Sequence, residues 1–302
     1  MKISKRIISL LMAALLVFGL PLSAFASDGG EIRIATAEDW KSFVKNCKLD
    51  TWSVGKTVVL DTDLDLGGSF TPVPVFSGTF DGNGHSIHMG SYTSAASDTG
   101  VFRYVSEGAV VKNLTVTGTW EPSGGKSAIG GIVGHNSGTI ENCMFNGVVD
   151  GKNNIGGIAG INENTGVITG CTVRGEIRGE HYTGGVAGQN LGSIIRCTNE
   201  SSVNTDGAEI APTLDDIDVT HINNTENLSV YTDTGGITGF SSGLLQGCQN
   251  TGEIGYPHVG YNVGGIAGRQ SGYLHDCENR GAVYGRKDVG GVVGQMEPYL
   301  IL

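Results

Sequence analysis

The sequence has 302 residues, a formal net charge of -11 at pH 7, and 39% hydrophobic residues. An acidic surface argues against binding to nucleic acids and to anionic membranes, because both carry negative charge. The 50 glycines are about a sixth of the chain, against an average near 7%, and they predict many tight turns or close backbone approaches.

Residues 1–26 are predicted to be a signal peptide. A positively charged start, with Lys2, Lys5 and Arg6, precedes an almost wholly apolar run over residues 7–20. Ala24-Phe25-Ala26 then supplies a small-x-small cleavage site. The apolar run is too short for a stable membrane span, so a retained N-terminal anchor is the weaker alternative. The sequence therefore predicts a secreted, extracellular or cell-surface protein with no membrane span in its mature chain.

Residues 27–126 are predicted to form an N-terminal cap and the first coils of a β-structure. Thr36 is a favourable helix N-cap, and an apolar face at helical spacing follows it, formed by Trp40, Phe43, Val44 and Cys47. A short helix over residues 37–47 would cover the open end of the β-structure and shield its edge strands. Strands are predicted downstream at residues 58–66, at 78–84 (a strand followed by a tight turn), at 101–102 and at 110–116.

The remaining residues, 127–302, contain an internal repeat. A Gly-Gly-aliphatic-small-Gly pentapeptide occurs six times, beginning at Gly130, Gly156, Gly184, Gly235, Gly264 and Gly290. The spacings of 26, 28, 51, 29 and 26 residues agree on one unit, and the long interval holds an insertion at about residues 205–229. Such a period indicates a stack of similar structural units.

Other apolar positions recur within each unit. A cysteine column is predicted at Cys143, Cys171, Cys197, Cys248 and Cys277, with Cys171 displaced by two residues. An aliphatic residue lies three positions before each cysteine and another lies six positions after it. Three short strands in about 26 residues predict one coil of a right-handed parallel β-helix, whereas a propeller blade needs about 40–50 residues and four strands.

Residues 130–294 resemble the GLUG-motif repeats of bacterial exported and cell-surface proteins. The resemblance rests on the six glycine pentapeptides and implies β-helical stalks, often beside adhesive or protease modules. It implies no catalytic residue. The apolar Pro298–Leu302 segment is not the polar cap that a repeat array needs, so we expect a fragment of a longer multidomain protein. The alternative is that the tail folds across the last coil.

Several residue patterns are candidates for binding or chemistry. The cysteines favour a buried, mostly reduced thiol stack over disulfides, and zinc is less favoured because stacked cysteines lie in a line. The recurring Asn136, Asn162 and Asn190 predict a turn ladder in the left-handed conformation. The carboxylates of Asp61, Asp63 and Asp65 could attract calcium, but a solvated strand face is the favoured interpretation.

Two carboxylates occupy the same repeat position two coils apart. Glu176 and Glu253 would lie about 9.6 Å apart, with Ser202 between them, at the edge of the range for an inverting glycosidase. We expect these residues to be dispensable. A late group of tyrosines could stack on sugars, although filling gaps at turns is favoured: Tyr256, Tyr261, Tyr273 and Tyr284.

The sequence as a whole predicts a non-catalytic repeat module that acts as a stalk, spacer or adhesive surface. No catalytic, cofactor-binding or metal-binding residue is predicted. Partners are expected among host or cell-surface glycans or proteins. The alternative is a polysaccharide lyase or glycosidase built on the same scaffold, which fold analogy alone supports.

Overall fold

The computed structural model describes residues 30–206 and 231–297. The predicted signal peptide, nearly all of the predicted insertion, and the Pro298–Leu302 tail lie outside the described residues. The N-terminal part contains helix α1 (Ala37–Asn46), a single 3-10 turn (Gly67–Ser69), and the strands β1 (Glu31–Ile34), β2 (Thr57–Leu60), β3 (Leu64–Asp65), β4 (Val73–Phe76), β5 (Thr79–Asp81), β6 (Ser86–Tyr92), β7 (Phe102–Val105), β8 (Val110–Lys112) and β9 (Thr115–Trp120).

The repeats continue with strands of two to seven residues. They are β10 (Ile129–Gly130), β11 (Val133–Asn136), β12 (Thr139–Glu141), β13 (Met144–Asp150), β14 (Asn153–Gly156), β15 (Ala159–Asn162), β16 (Val167–Thr169), β17 (Thr172–Arg178), β18 (His181–Gly184), β19 (Ala187–Asn190), β20 (Ser193–Ile195), β21 (Thr198–Asn199), β22 (Ser202–Val203), β23 (Thr232–Gly235), β24 (Thr238–Ser241), β25 (Leu244–Gln246), β26 (Gln249–Asn250), β27 (Tyr261–Gly264), β28 (Ala267–Gln270), β29 (Tyr273–His275), β30 (Glu278–Asn279), β31 (Lys287–Gly290) and β32 (Val293–Met296).

These strands form four parallel sheets that run along one axis. Sheet A contains β1, β2, β5, β8, β12, β16, β20, β25 and β29, and sheet B contains β3, β6, β9, β13, β17, β21, β22, β26 and β30. Sheet C contains β4, β7, β11, β15, β19, β24, β28 and β32, and sheet D contains β10, β14, β18, β23, β27 and β31. From β10 onward the chain visits sheets D, C, A and B in turn. The predicted all-β parallel β-helix is confirmed.

The prediction of three strands per coil is wrong, because a repeat coil such as β10–β13 has a strand in each of the four sheets. The glycine pentapeptide is not one segment but the corner between two strands. In the second repeat, β14 ends at Gly156 in sheet D and β15 begins at Ala159 in sheet C. Ile158, between them, is fully buried and points into the core at this corner. Sheets A, B and C continue without interruption across residues 126 and 127.

The pentapeptide requires glycine because there is no room for a side chain. A Cβ built on Gly157 would lie 2.3 Å from the side chain of Val173 on sheet B and 2.6 Å from the carbonyl of Gly185 in the next coil. Such contacts are far inside van der Waals separation, so no larger residue fits without moving the backbone. The close approach of corner and opposite sheet is what the glycine content predicts.

Helix α1 covers the N-terminal end of the β-helix, as predicted. Thr36 and Asp39 form a reciprocal capping box, which satisfies backbone donors at the helix start. Phe43 is buried against the rings of Phe76 and Phe80, with centroids 5.9 and 5.8 Å away. The helix therefore supplies the apolar layer that an additional coil would otherwise provide.

The predicted inward columns are present along the axis. Ile140, Ile168, Ile194, Leu245 and Leu274 pair in register on sheet A. Each cysteine of the predicted column immediately precedes a registered strand of sheet B, and the first four are buried. Cys171 keeps its place because its coil has two extra residues in the turn between Asn162 and Gly166. The shift in sequence is therefore absorbed outside the core.

Left-handed residues recur at two corners of the coil. Between sheets A and B the position is held by Asn83, Asn113, Asn142, Gly170, Arg196, Gly247 and Asp276, and at the start of the sheet D segment by Asp98, Ala128, Asn154, Tyr182, Asp233, Asn262 and Asp288. Asparagine and aspartate tolerate this conformation because their side chains bond locally, whereas for Tyr182 and Arg196 it costs about 1–2 kcal/mol.

Candidate binding face

One outward column on sheet C carries a different side chain at each successive coil. The strand register aligns its members across the coils: Val75, Tyr104, His135, Ile161, Gln189, Phe240, Arg269 and Gln295. All are half-buried or exposed, while the next residue in each strand from β7 to β28 points inward and is buried. We name this series the sheet C outer column. It carries aromatic, charged and apolar side chains in turn.

His135, in this column, lies between carboxylates of the preceding and following coils. Its Nε2 atom is 2.9 Å from Oδ1 of Asp98, and its Nδ1 atom is 2.8 Å from Oε1 of Glu163. Carboxylates only accept hydrogen bonds, so both contacts are satisfied when both ring nitrogens carry a proton. The imidazole also stacks on the ring of Tyr104, with centroids 5.2 Å apart and an interplanar angle of 24°.

A shallow groove of about 400 Å³ lies beside this cluster. Tyr104 and His135 line one part of it, and Glu163, Asn164 and Thr165 line another. The last three residues belong to the turn that is two residues longer than its counterparts at 136–138 and 190–192. Thr165 Oγ1 donates a 2.8 Å hydrogen bond to the Ser137 carbonyl, which fixes the turn against the coil before it. A departure from the repeat therefore creates the groove wall.

The Tyr104 hydroxyl stays protonated at neutral pH. Burial, followed by the charge of Asp98, raises the pKa of this hydroxyl. The Arg103 guanidinium lies 5.8 Å from the centre of the Tyr104 ring, and its Nε donates to the Asp98 carbonyl at 3.1 Å. The groove therefore combines an aromatic ring, fixed carboxylates, an amide and hydroxyl groups.

A second cluster lies further along the same column. Arg269 forms ion pairs with Asp233 at 3.1 Å and with Glu297 at 3.0 Å. Its guanidinium lies 5.0 Å from the ring centre of Phe240 and 5.6 Å from that of Tyr182. Burial raises the pKa of the Asp233 carboxyl, and the charge of Arg269 opposes that shift. The cluster ties together coils on both sides of residues 207–230.

Glu176 and Glu253 occupy equivalent positions, as predicted. Glu176 pairs with Ser202, and the bridge from Val203 to Ile254 places Ser202 opposite Glu253. Both glutamates are exposed, and Glu176 forms an ion pair with Arg178. Among the described residues, these two glutamates therefore lie on a solvent-exposed surface and not in the apolar pocket that keeps a catalytic acid protonated.

The carboxylates of Asp61, Asp63 and Asp65 do not share a strand face. The predicted strand over residues 58–66 is wrong, because the chain turns after Leu60 and passes from sheet A to sheet B. Asp61 accepts from Arg33 at 2.6 Å, and Asp63 accepts from the Ser86 amide at 2.7 Å. In residues 30–206 and 231–297, no group of three or more His, Cys, Asp or Glu residues is placed to hold a metal ion.

The cysteines are free thiols. Burial raises the pKa of Cys47 to about 12 and that of Cys171 and Cys197 well above the usual thiol range. Cys277, at the last described coil, is only half-buried. A hydrogen bond between the two thiols lowers the pKa of Cys277. The same bond, together with burial, raises the pKa of Cys248.

The asparagine ladder is a buried amide ladder instead of a left-handed turn. Asn136 Nδ2 donates to Asn162 Oδ1, and Asn162 Nδ2 donates to Asn190 Oδ1, each at 2.8 Å. None of the three has a positive φ, so that part of the prediction is wrong. The ladder does bond its own turns, since Asn136 Oδ1 accepts from the Gly138 amide. A second amide ladder, which was not predicted from the sequence, lies on sheet B: Asn199, Asn250 and Asn279.

The four tyrosines do not form one surface. Tyr261 is buried, Tyr256 is half-buried, and Tyr273 and Tyr284 are exposed. The groove at Tyr104 and His135 was not predicted. Its partners Asp98 and Glu163 lie 37 and 28 residues from His135 in sequence, so only the strand register brings them together.

Two of the repeats match a known family. A model of the GLUG motif matches residues 125–150 and 151–178, which hold the coils β10–β13 and β14–β17. These two repeats of the chain are GLUG repeats, which confirms the resemblance. No helix in the described part of the chain is long and apolar enough to cross a membrane.

Two known proteins are similar to this chain, one over about a third of it and the other over most of it. Halomucin of Haloquadratum walsbyi (strain DSM 16790 / HBSQ001) is 33% identical over 100 residues, 31% of this chain, and the chain spans about 1% of the length of Halomucin. A Bacteroides ovatus crystal structure, provisionally described as an immunoglobulin A1 protease, aligns with a TM-score of 0.52 at 19% identity. The alignment covers 83% of this chain and 75% of that one, and the likeness supports the fold alone.

Proposed function

We propose that the mature chain is an exported, non-catalytic repeat module that presents its outer surface to an extracellular glycan or protein. The contrast between two columns of sheet C supports this proposal. The inward column keeps asparagine over three successive coils (Asn136, Asn162 and Asn190), between Val105 and Ser241, whereas the outward column changes at every coil. The repeated asparagines bond one coil to the next and maintain the stack, whereas the exterior positions are free to vary and can present different side chains to a partner.

The sequence supports the extracellular location. Residues 1–26 have the charge, apolar run and small-x-small site of a signal peptide. The confirmed GLUG repeats add support, because the resemblance implies exported and cell-surface proteins. The acidic composition disfavours nucleic acid as a partner.

The carboxylate pair that suggested an enzyme, Glu176 and Glu253, gives little support to that alternative function. A glycosidase needs one carboxyl held protonated near neutral pH, usually by an apolar pocket. Glu253 is exposed, and Glu176 is exposed and paired with Arg178. Both carboxylates therefore lie on a solvent-exposed surface, which differs from the apolar surroundings of a catalytic acid.

Export and partner binding are tested separately. The full chain is expressed in a bacterial host, and mass spectrometry of the protein outside the cytoplasm should give Ser27 as the first residue. The purified mature chain is then tested for retention on immobilised neutral, acidic and amino-sugar polysaccharides and on secreted glycoproteins. Saturable retention on at least one of them supports the proposal. An unprocessed chain that stays in the cytoplasm, or no retention anywhere, would contradict it.

A further inference from the structure

The groove beside His135 has the chemistry of a sugar site. A pyranose ring has faces made of C–H groups, which pack against aromatic rings, and hydroxyl groups around its rim, which need polar partners. Tyr104 stacks on His135 but is 37% exposed, and this exposed part of its ring supplies the aromatic surface. The turn of Glu163, Asn164 and Thr165 supplies carboxylate, amide and hydroxyl groups. At about 400 Å³ the groove falls within the size range of small-ligand sites, about 300–1,000 Å³.

The polar groups of the groove are held in place before any ligand arrives. His135 contacts one oxygen of Glu163, Oε1, and in the described part of the chain no hydrogen bond reaches Oε2. Because the contact with His135 orients the Glu163 carboxylate in advance, accepting from a ligand hydroxyl requires little further ordering of this side chain. The Glu163 backbone is fixed as well, because its amide donates to the Asn136 carbonyl at 2.8 Å.

The charges favour a neutral ligand. His135 contacts both the Asp98 and the Glu163 carboxylates, and Arg103 lies in the same cluster, where its Nε donates to the Asp98 backbone carbonyl. Anionic sugars would meet two carboxylates. A metal ion would have to displace His135 from both carboxylates, and no metal-holding group is present among the described residues.

We propose that this groove binds one pyranose residue of a neutral saccharide, with Tyr104 against its C–H face and Glu163 accepting from its hydroxyls. The inference rests on the proposed binding function and names the ligand class of one site within it. The long turn at 162–166, which breaks the repeat spacing, is then the element that makes this coil a binding coil.

Saturation-transfer NMR tests the proposal on the folded mature chain. The probes are methyl glucopyranosides, galactopyranosides and mannopyranosides, N-acetylglucosamine, and the disaccharides maltose, cellobiose and lactose. We expect at least one probe to bind, with the strongest saturation on protons of one ring face. Tyr104→Ala and Glu163→Ala should each weaken binding at least tenfold, while Tyr104→Phe should retain most of it. Tyr284→Ala is the matched control, because Tyr284 is equally exposed at 40% and lies outside the groove.

Each other outcome has a separate meaning. Binding that survives both groove variants would overturn the site but leave the proposed function standing. Binding of a lysine-rich peptide or Ca²⁺, with no binding of any neutral probe, would overturn the ligand class. If no probe binds and the panel of polysaccharides and glycoproteins retains nothing, the proposed function fails as well.

Discussion

The buried amide ladder on sheet C makes a quantitative prediction for Asn162→Ala. Asn162 accepts from Asn136 and donates to Asn190 Oδ1, each at 2.8 Å, and it is fully buried. After substitution Asn136 Nδ2 keeps its bond to the Gly138 carbonyl, but Asn190 Oδ1 loses the one donor that reaches it in the described part of the chain. A buried acceptor left without a partner costs about 1–3 kcal/mol. With the lost packing, the free energy of unfolding should fall by about 2–4 kcal/mol.

Urea unfolding, followed by circular dichroism, measures the change. Asn162→Asp should be at least as damaging, because a carboxylate cannot donate to Asn190. Asn164→Ala, an exposed position two residues away, is the control and should change stability by less than about 0.5 kcal/mol. Because repeat arrays can unfold in parts, hydrogen exchange of the peptides over residues 133–195 should show the loss locally. Equal stabilities for Asn162→Ala and Asn164→Ala would refute the reasoning.

Three further predictions concern the cap, the thiols and the glutamates. Phe43→Ala should lower the free energy of unfolding by about 3–5 kcal/mol in tryptophan-monitored urea unfolding, because Phe43 is buried among aromatic rings. Leu49→Ala, at an exposed position, should leave the free energy of unfolding unchanged. Similar values for both variants would show that the helix does not cover the core. Iodoacetamide at neutral pH should label Cys277 first, because the pKa of its thiol is lowered and the residue is only half-buried. It should label the buried Cys171 and Cys197 only in urea, because burial raises the pKa of both thiols. Two or more disulfides in the unreduced protein would contradict the thiol column. Glu176→Gln and Glu253→Gln should each change the free energy of unfolding by less than about 0.5 kcal/mol and leave binding unchanged, since both side chains are exposed. Lower stability in a calorimetric melt, or weaker binding in a retention assay, would contradict this prediction and show that the glutamates have a role.

The sequence predicted the interior of the fold because interior positions obey the period. Ile140, Ile168 and Ile194 recur at one place in each unit and pair in register. The number of strands per coil was not predictable in the same way. The glycine pentapeptide looks like one apolar segment, but close packing against Val173 makes it a corner between two sheets. The single strand predicted over residues 58–66 was wrong for a related reason. Aspartate occupies every second position from Asp61 to Asp65, but the chain turns within this segment and passes from sheet A to sheet B.

The candidate site follows a different logic. In the described part of the chain, the two hydrogen-bonding partners of His135, Asp98 and Glu163, come from the coils on either side of it. Such a cluster depends on register, which the period gives only approximately. One signal was available: the two-residue displacement of Cys171 marks the long turn that carries Glu163. Departures from a repeat are therefore better guides to function in this chain than the repeat itself.

Size-exclusion chromatography with light scattering on a retained polysaccharide tests the central claim, binding without chemistry, most directly. The mature chain is incubated for a day with a polysaccharide that it retains, then removed, and the molar-mass distribution of the polysaccharide is compared with that of an untreated sample. The account predicts an unchanged distribution and no new reducing ends. A shift to lower mass that grows with incubation time and protein concentration would contradict it and would make the protein an enzyme.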